Sequence, residues 1–292
     1  MMRSMLFVPG NSAGMLLNAD VHGADGLILD LEDAVAPGEK DAARRLVQGA
    51  VQTLGFPGAT LIIRINPLGT PYVEEDIARM VPLKPHLLMP TKVASAEDVT
   101  AISTLVAQAE QKTGLPQNTV GLIPLLETAQ GIEHALEIAR SDPRVKALFL
   151  GAEDLSSDLQ AVRSKEGAEI AYARGRIVMA ARAAGIDVYD TPFTDVNDDD
   201  GLQQDAALAR ALGFTGKAAI SPRHVAGINA AFTPSPGEIS YAREVLAVIE
   251  EGERLGKGAV SLRGKMIDKP IVDRARKVLQ TAVLLGLERG AL

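Results

Sequence analysis

The feature that most constrains the fold is an alternation of short apolar runs with longer amphipathic stretches. A strand buried on both faces reads as a continuous apolar run, whereas a helix covering a sheet shows apolar residues every three or four positions. The alternation therefore predicts repeated βα units around a parallel sheet. Eight runs qualify as strands: Met5 to Val8, Gly26 to Leu31, Leu61 to Ile65, Leu87 to Met89, Val120 to Leu126, Ala147 to Leu150, Asp187 to Tyr189 and Ala218 to Ile220. Eight βα units predict an α/β chain folded as a (β/α)8 TIM barrel. The 292 residues exceed the roughly 250 of such a barrel, so a barrel domain over 1–232 and a C-terminal helical extension over 233–292 are expected.

Local signals agree with this division. Ser95 stands as a cap before AEDVTAISTLVAQAEQ, and GAEIAYARGRIVMAARAAG from Gly167 reads as a second long helix. Gly114, Gly185 and Gly213 stand where helices should stop. The tract TPSPG marks a break, a helix is expected from Glu238 to about Leu255, and GKGAVSLRGKMIDKP reads as turn-rich before a last helix from Ile271.

Composition removes whole classes of chemistry. Without cysteine there are no disulfides, thiolate nucleophiles, iron–sulfur clusters or cysteine zinc sites, and a reducing cytoplasm is the expected compartment. A net charge of −7 disfavours nucleic acid and anionic membranes as partners. Pro9 and Gly10 cut the first apolar run short of a signal peptide, and no run reaches the roughly 18 apolar residues of a membrane span. His22, His86, His134 and His224 lack the spacing of a zinc site, and no GxGxxG, GxxxxGK[ST] or GxSxG tract occurs.

Barrels of this type place their chemistry at the carboxyl ends of the strands. There the sequence turns polar: Asp30, Glu32 and Asp33 where the second run ends, Arg64 and Asn66 where the third ends, Lys92 after the fourth, Glu127 after the fifth. Glu153 and Asp154 follow the sixth, Asp190 the seventh, Ser221 and Arg223 the eighth. Solvated loops would explain any one of these residues; their coincidence favours a site. Glu127 and Asp154 are hard oxygen donors of the kind that hold Mg2+ together with water. A glycosidase acid–nucleophile pair, or plain salt bridges with Arg64 and Lys92, would use the same residues, although a glycosidase normally supplies aromatic platforms and Trp is absent. Arg64 offers a planar fork for a substrate carboxylate, or a structural partner for Asp30 or Glu32. Lys92 at a strand end is compatible with a Schiff base, but with carboxylates around it an ionic role is expected.

The tracts RSMLFVPG, DLEDAVAPGEKDAAR, RINPLGTP, PTK, LLETAQG, GAEDLSSD, GFTGKAAISPRH and GKMIDKPIVDRARK, in that order over nearly the whole chain, resemble the citrate lyase beta subunit (CitE-like) branch of the HpcH/HpaI aldolase superfamily. The resemblance implies a (β/α)8 barrel and Mg2+-dependent carbon–carbon cleavage of a 3-hydroxy-3-carboxyacyl thioester, such as a citryl thioester giving oxaloacetate and an acetyl thioester. Malyl-CoA or citramalyl-CoA chemistry is the alternative within the family. It also implies that Glu127 and Asp154 hold the metal, that Arg64 and Glu127 bind substrate, and that Asp268 is catalytic together with Arg64; Lys92 and Asp30, at the same mouth, are further candidates to bind substrate. Asp268 is expected on a C-terminal segment that reaches a neighbouring subunit's site, hence a homo-oligomer, a trimer by resemblance.

The expected partners are an acyl-CoA or acyl carrier protein thioester, with citrate lyase alpha and gamma subunits admitted by the resemblance. The tract ISPRH departs from relatives, which carry IHP or NPR there, and leaves the thioester carrier open. Asp190 and Lys217 are candidates to frame that carrier; their structural readings are a turn-stabilising aspartate and a surface lysine. Two further readings compete: a non-catalytic subunit that binds an acyl carrier, and a metal aldolase acting on free hydroxy-oxo acids.

Overall fold

The structure, a computed structural model, describes residues 1–255 and 260–288. It divides into two compact units, Met1–Ala230 and Ala231–Leu292. The strands of the first unit are β1 Ser4–Pro9, β2 Gly26–Asp30, β3 Thr60–Ile65, β4 Leu87–Pro90, β5 Gly121–Leu122, β6 Leu125–Leu126, β7 Ala147–Leu150, β8 Asp187–Asp190 and β9 Gly216–Ala219. Its helices are α1 Ala13–Leu17, α2 Lys40–Leu54, α3 Val73–Met80, α4 Ala96–Lys112, α5 Ala129–Glu133, α6 Ala135–Arg140, α7 Ala152–Asp158, α8 Ala171–Ala184 and α9 Asp199–Leu212; α10 Pro222–Phe232 leads out of it.

The sheet is parallel throughout, in the order β5-β4-β3-β2-β1-β9-β8-β7-β6. The expected fifth strand is thus found as two pieces, because Pro124, which has no N–H to donate, interrupts the run. The pieces occupy opposite ends of the order although only Ile123 and Pro124 separate them in the chain. Ile123 N–H donates to Leu88 O at 2.9 Å on one side, and Leu122 N–H to Arg144 O at 2.7 Å on the other. The sheet is therefore strongly curled and barrel-like.

Strand side chains alternate between the inside of the curl and the helical layer. Ile28, Ile62, Leu125, Phe149, Tyr189 and Ala218 belong to one buried apolar cluster, contributed by successive strands. Helix punctuation follows the sequence. Ser95 and Asp98 form a capping box on α4, and Gly185 and Gly213 close α8 and α9 in the left-handed conformation.

In the second unit, α11 Pro236–Arg254 begins at a Ser235–Glu238 capping box, followed by β10 Val260–Leu262, β11 Lys265–Ile267 and α12 Lys269–Leu284. Its core is formed by Ile239, Val245, Ile267, Val272 and Leu279 with alanines between them. The tract read as turn-rich contains an antiparallel hairpin instead, its turn made by Arg263 and Gly264 at φ 51° and 78°. The first part of that tract, 256–259, lies outside the described residues. No helix among the described residues is long and apolar enough to cross a membrane.

Candidate active site

Alternation predicts what the top of the curl presents. Two residues beyond the interior residues Ile28, Ile62, Leu125, Phe149 and Tyr189 stand Asp30, Arg64, Glu127, Gly151 and Thr191, and all five line one open cavity of about 430 Å³. Phe7, Asp33, Glu153, Asp154 and Ile220 line it as well. Its size suits a small organic ligand.

Arg64 is held as a fork. Its Nε and Nη2 donate to Asp30 Oδ1 and Oδ2 at 2.7 and 2.6 Å, and Nη1 lies 3.1 Å from Glu32 Oε2. The guanidinium stacks over Phe7 at 5.0 Å, and both residues line the cavity. Burial works against its charge, but the bonds and field of Asp30, with Glu32 and Asp33, hold its pKa above the ordinary arginine value. Arg64 thus has the structural partner that the sequence admitted, and it lines the cavity too. Asp30 also accepts the N–H groups of Glu32 and Ala34, so its carboxylate is committed to orienting Arg64 and the loop after β2.

Glu127 is buried at 4% exposure, and its Oε1 accepts the Lys92 backbone N–H at 2.8 Å. A Cβ at Gly151 would lie 2.7 Å from Glu127 Cβ and 2.8 Å from Oε2, so a glycine is required for this carboxyl to enter the cavity. Burial, reinforced by the negative fields of Asp154 and Glu32, pushes the Glu127 carboxyl up to about 8. Glu32 is driven the same way, to about 7, by burial and by Asp33 and Asp30, against the opposing pull of Arg64.

Asp154 stands in the first turn of α7 and takes the Lys92 ammonium on Oδ2 at 2.7 Å. That ion pair is roughly 40% exposed on both sides and contributes at most about 1 kcal/mol. Lys92 has φ +54°, a left-handed conformation uncommon for a residue with a Cβ, and it thereby bridges Glu127 by its backbone and Asp154 by its side chain. It is not among the residues lining the cavity.

The donor chemistry suits a hard divalent cation. Two carboxylates share a cavity, one is starved of positive charge, and the other carries a lysine ammonium in the position of a counter-ion. Among the described residues no three acidic or imidazole side chains are grouped tightly enough to enclose an ion, so an ion here would retain water, as Mg2+ characteristically does.

Residues 3–222 match the HpcH/HpaI aldolase/citrate lyase family. The chain belongs to that family. It is 40% identical over 280 residues to citrate lyase subunit beta of Leuconostoc mesenteroides subsp. cremoris, covering 96% of this chain and 93% of the relative. It is 33% identical over 289 residues to a (3S)-malyl-CoA thioesterase of Cereibacter sphaeroides, covering 99% and 97%. Among solved members of the family, the CitE protein of Mycobacterium tuberculosis in complex with magnesium, acetoacetate and coenzyme A superposes with a TM-score of 0.80 at 31% identity, covering 96% of this chain and 98% of that one.

Several expectations need correction. Lys217 is not a surface lysine, and Asp190 is not a turn-stabilising residue. Both are wholly buried, and Lys217 Nζ donates to Asp190 Oδ2 at 2.6 Å. They fall one position out of phase with the interior residues Ala218 and Tyr189, so they point into the helical layer, where Arg174 of α8 and Asp205 of α9 meet them. Neither can frame a carrier.

Asn66 is likewise turned away, bonding Asp76 of α3 at 2.6 Å and the Leu31 carbonyl at 3.0 Å. Arg223 meets Asn197 at 3.3 Å on the exposed surface. Asp268 stands in the second unit, where its Oδ1 caps α12 by accepting the Ile271 N–H at 3.2 Å. The residues missed by sequence reasoning are Phe7, Gly151 and Thr191; a two-residue step from the interior residues Met5, Phe149 and Tyr189 finds them.

Proposed function

We propose that this chain is a Mg2+-dependent carbon–carbon lyase that cleaves a 3-hydroxy-3-carboxyacyl thioester, a citryl thioester giving oxaloacetate and an acetyl thioester. The observation that carries the reading is the convergence of Glu127, Asp154 and Arg64 on one cavity, in a chain 40% identical to a citrate lyase beta subunit. Cleavage breaks the bond between the hydroxyl-bearing carbon and the thioester α-carbon. The hydroxyl loses its proton as it becomes a ketone, and the bonding pair passes to the thioester as an enolate, which then takes up a proton.

Each residue has a separate duty. Glu127 and Asp154 would hold Mg2+, which when bound supplies Lewis acidity to the 2-oxo acid portion. Arg64, fixed by Asp30, supplies the cation that lets a substrate carboxylate enter a cavity otherwise rich in negative charge. Lys92 holds both carboxylates in place. Asp268 would protonate the enolate from the C-terminal segment of a neighbouring subunit in a homotrimer, which accounts for a second unit beyond the sheet. The two ends of the sheet, joined through Ile123 and Pro124, support closure as a (β/α)8 barrel.

A malyl-CoA substrate is the second reading, favoured by the near full-length similarity to a malyl-CoA thioesterase. A panel of citryl, malyl and citramalyl thioesters, each on CoA and on acyl carrier protein, with and without Mg2+, separates the two. Release of a 2-oxo acid from citryl thioesters supports the first. Turnover confined to malyl thioesters replaces it with the second, and tight binding without any turnover refutes both.

A further inference from the structure

In the helical layer outside the sheet lies a charge cluster with no part in the chemistry above. Arg174 donates to Asp190 Oδ1 and Oδ2 at 3.0 and 2.8 Å and to Asp205 Oδ1 at 2.7 Å. Lys217 Nζ is 2.6 Å from Asp190 Oδ2 and 2.5 Å from Asp205 Oδ2. All four side chains are buried and the charges balance, two against two. A buried ionic cluster costs desolvation that an apolar packing of the same volume would avoid, so stability alone is a weak reason for keeping one.

One bond leaves the cluster. Lys217 Nζ also donates to the backbone carbonyl of Thr191 at 2.7 Å. Thr191 faces the cavity, and its Oγ1 accepts the N–H of Ala152 at 3.2 Å. Ala152 is the first residue of α7, whose first turn carries Glu153 and Asp154 into the same cavity. A helix N-terminus leaves its first N–H groups without intrahelical partners, so an acceptor fixed in space there sets where the turn begins.

From this chain of contacts we infer that Lys217 is a positioning residue: through Thr191 it fixes the first turn of α7, and so the place of Asp154 relative to Glu127. The metal consequence rests on the reading of Asp154 as a ligand; the positional one does not.

The test uses the full chain and two readouts, backbone hydrogen exchange of the α7 first turn and affinity for Mn2+ alone. Lys217→Met combined with Asp205→Asn removes one charge of each sign and keeps the cluster balanced. Thr191→Val removes the acceptor of Ala152 at similar volume, and Thr191→Ser keeps a hydroxyl. The Lys217→Met/Asp205→Asn variant and Thr191→Val are expected to speed exchange at residues 152–155 roughly tenfold while β2 and β3 stay protected, and to weaken Mn2+ binding roughly fivefold or more. Thr191→Ser should stay within about twofold of the parent in both readouts.

Exchange in α7 unchanged in both the double variant and Thr191→Val overturns the inference. So does a double variant whose exchange rises equally in β2 and β3 while Thr191→Val changes nothing, since that marks a purely structural lysine. If the double variant does not fold, Thr191→Val decides: unchanged α7 exchange in it overturns the inference. Faster α7 exchange without any Mn2+ binding by the parent chain would support the positioning and refute the metal reading.

Discussion

Two groups of charged residues stand on different strands of the same sheet and differ in which way they face. Asp30, Arg64 and Glu127 follow the interior phase of their strands and meet in a cavity where carboxylates outnumber cations; Asp190 and Lys217 follow the opposite phase and meet Arg174 and Asp205 in the helical layer, where the charges balance. The difference separates two uses of buried charge. A balanced cluster of mutual ion pairs satisfies its own charges, whereas an unbalanced one is built to receive something positive.

Substitutions should break the two groups in opposite ways. The largest effect on activity is expected for Glu127→Gln, a loss of roughly a thousandfold or more in turnover, the scale of removing Lewis-acid stabilisation. Denaturant unfolding of the metal-free protein should show little change in that variant, because the carboxyl it removes is already disfavoured by burial. Asp190→Asn should do the reverse to stability, costing about 3–5 kcal/mol by leaving Arg174 and Lys217 undercompensated in the interior. A Glu127→Gln protein as unstable as Asp190→Asn would erase the distinction.

Metal should act on one group only. Saturating Mg2+ at about a hundred times its dissociation constant should stabilise the chain by about 2.7 kcal/mol in thermal or chemical unfolding, and Asp154→Ala should abolish the increment. Equal stabilisation of Asp154→Ala would move the ion elsewhere.

A smaller effect sharpens the comparison through pH. Glu32, raised to about 7 by burial, binds a proton in the native state at pH values where the unfolded chain has released it. The contribution is therefore fully present below the ordinary glutamate range and is lost as pH rises toward about 7, at no more than about 1.4 kcal/mol per pH unit. In metal-free protein, Glu32→Gln should flatten the fall in stability between about pH 5 and 7. An unchanged slope would assign the proton to another group. Lys92→Met should be the mildest, within about 1 kcal/mol in unfolding measurements, since the Lys92–Asp154 pair is well exposed.

Much of this was legible in the sequence, for a physical reason. An apolar run followed by a polar residue marks both a strand and its exit, which located Asp30, Arg64, Glu127 and Asp154 without any structure. Phase within the run was also available, yet it is decisive only when counted: Lys217 sits beside Ala218, not two places past it, and a lysine inside a buried strand demands a partner. Its partners Arg174 and Asp205 stand on two different helices, and such long-range meetings leave no local signal. The hairpin at Arg263 and Gly264 was hidden by a Gly- and Lys-rich setting that reads as loop. The left-handed Lys92, by which one residue reaches both carboxylates, follows from tertiary structure alone.

Release of 2-oxo acid from a citryl thioester, followed in one sample with Mg2+, after EDTA, and after Mg2+ is restored, tests the cavity most directly when run in parallel on Asp154→Ala. Release that stops with EDTA, returns with Mg2+ and is absent from Asp154→Ala is the predicted result. Undiminished release in EDTA, or from Asp154→Ala, would contradict a cation held by Glu127 and Asp154.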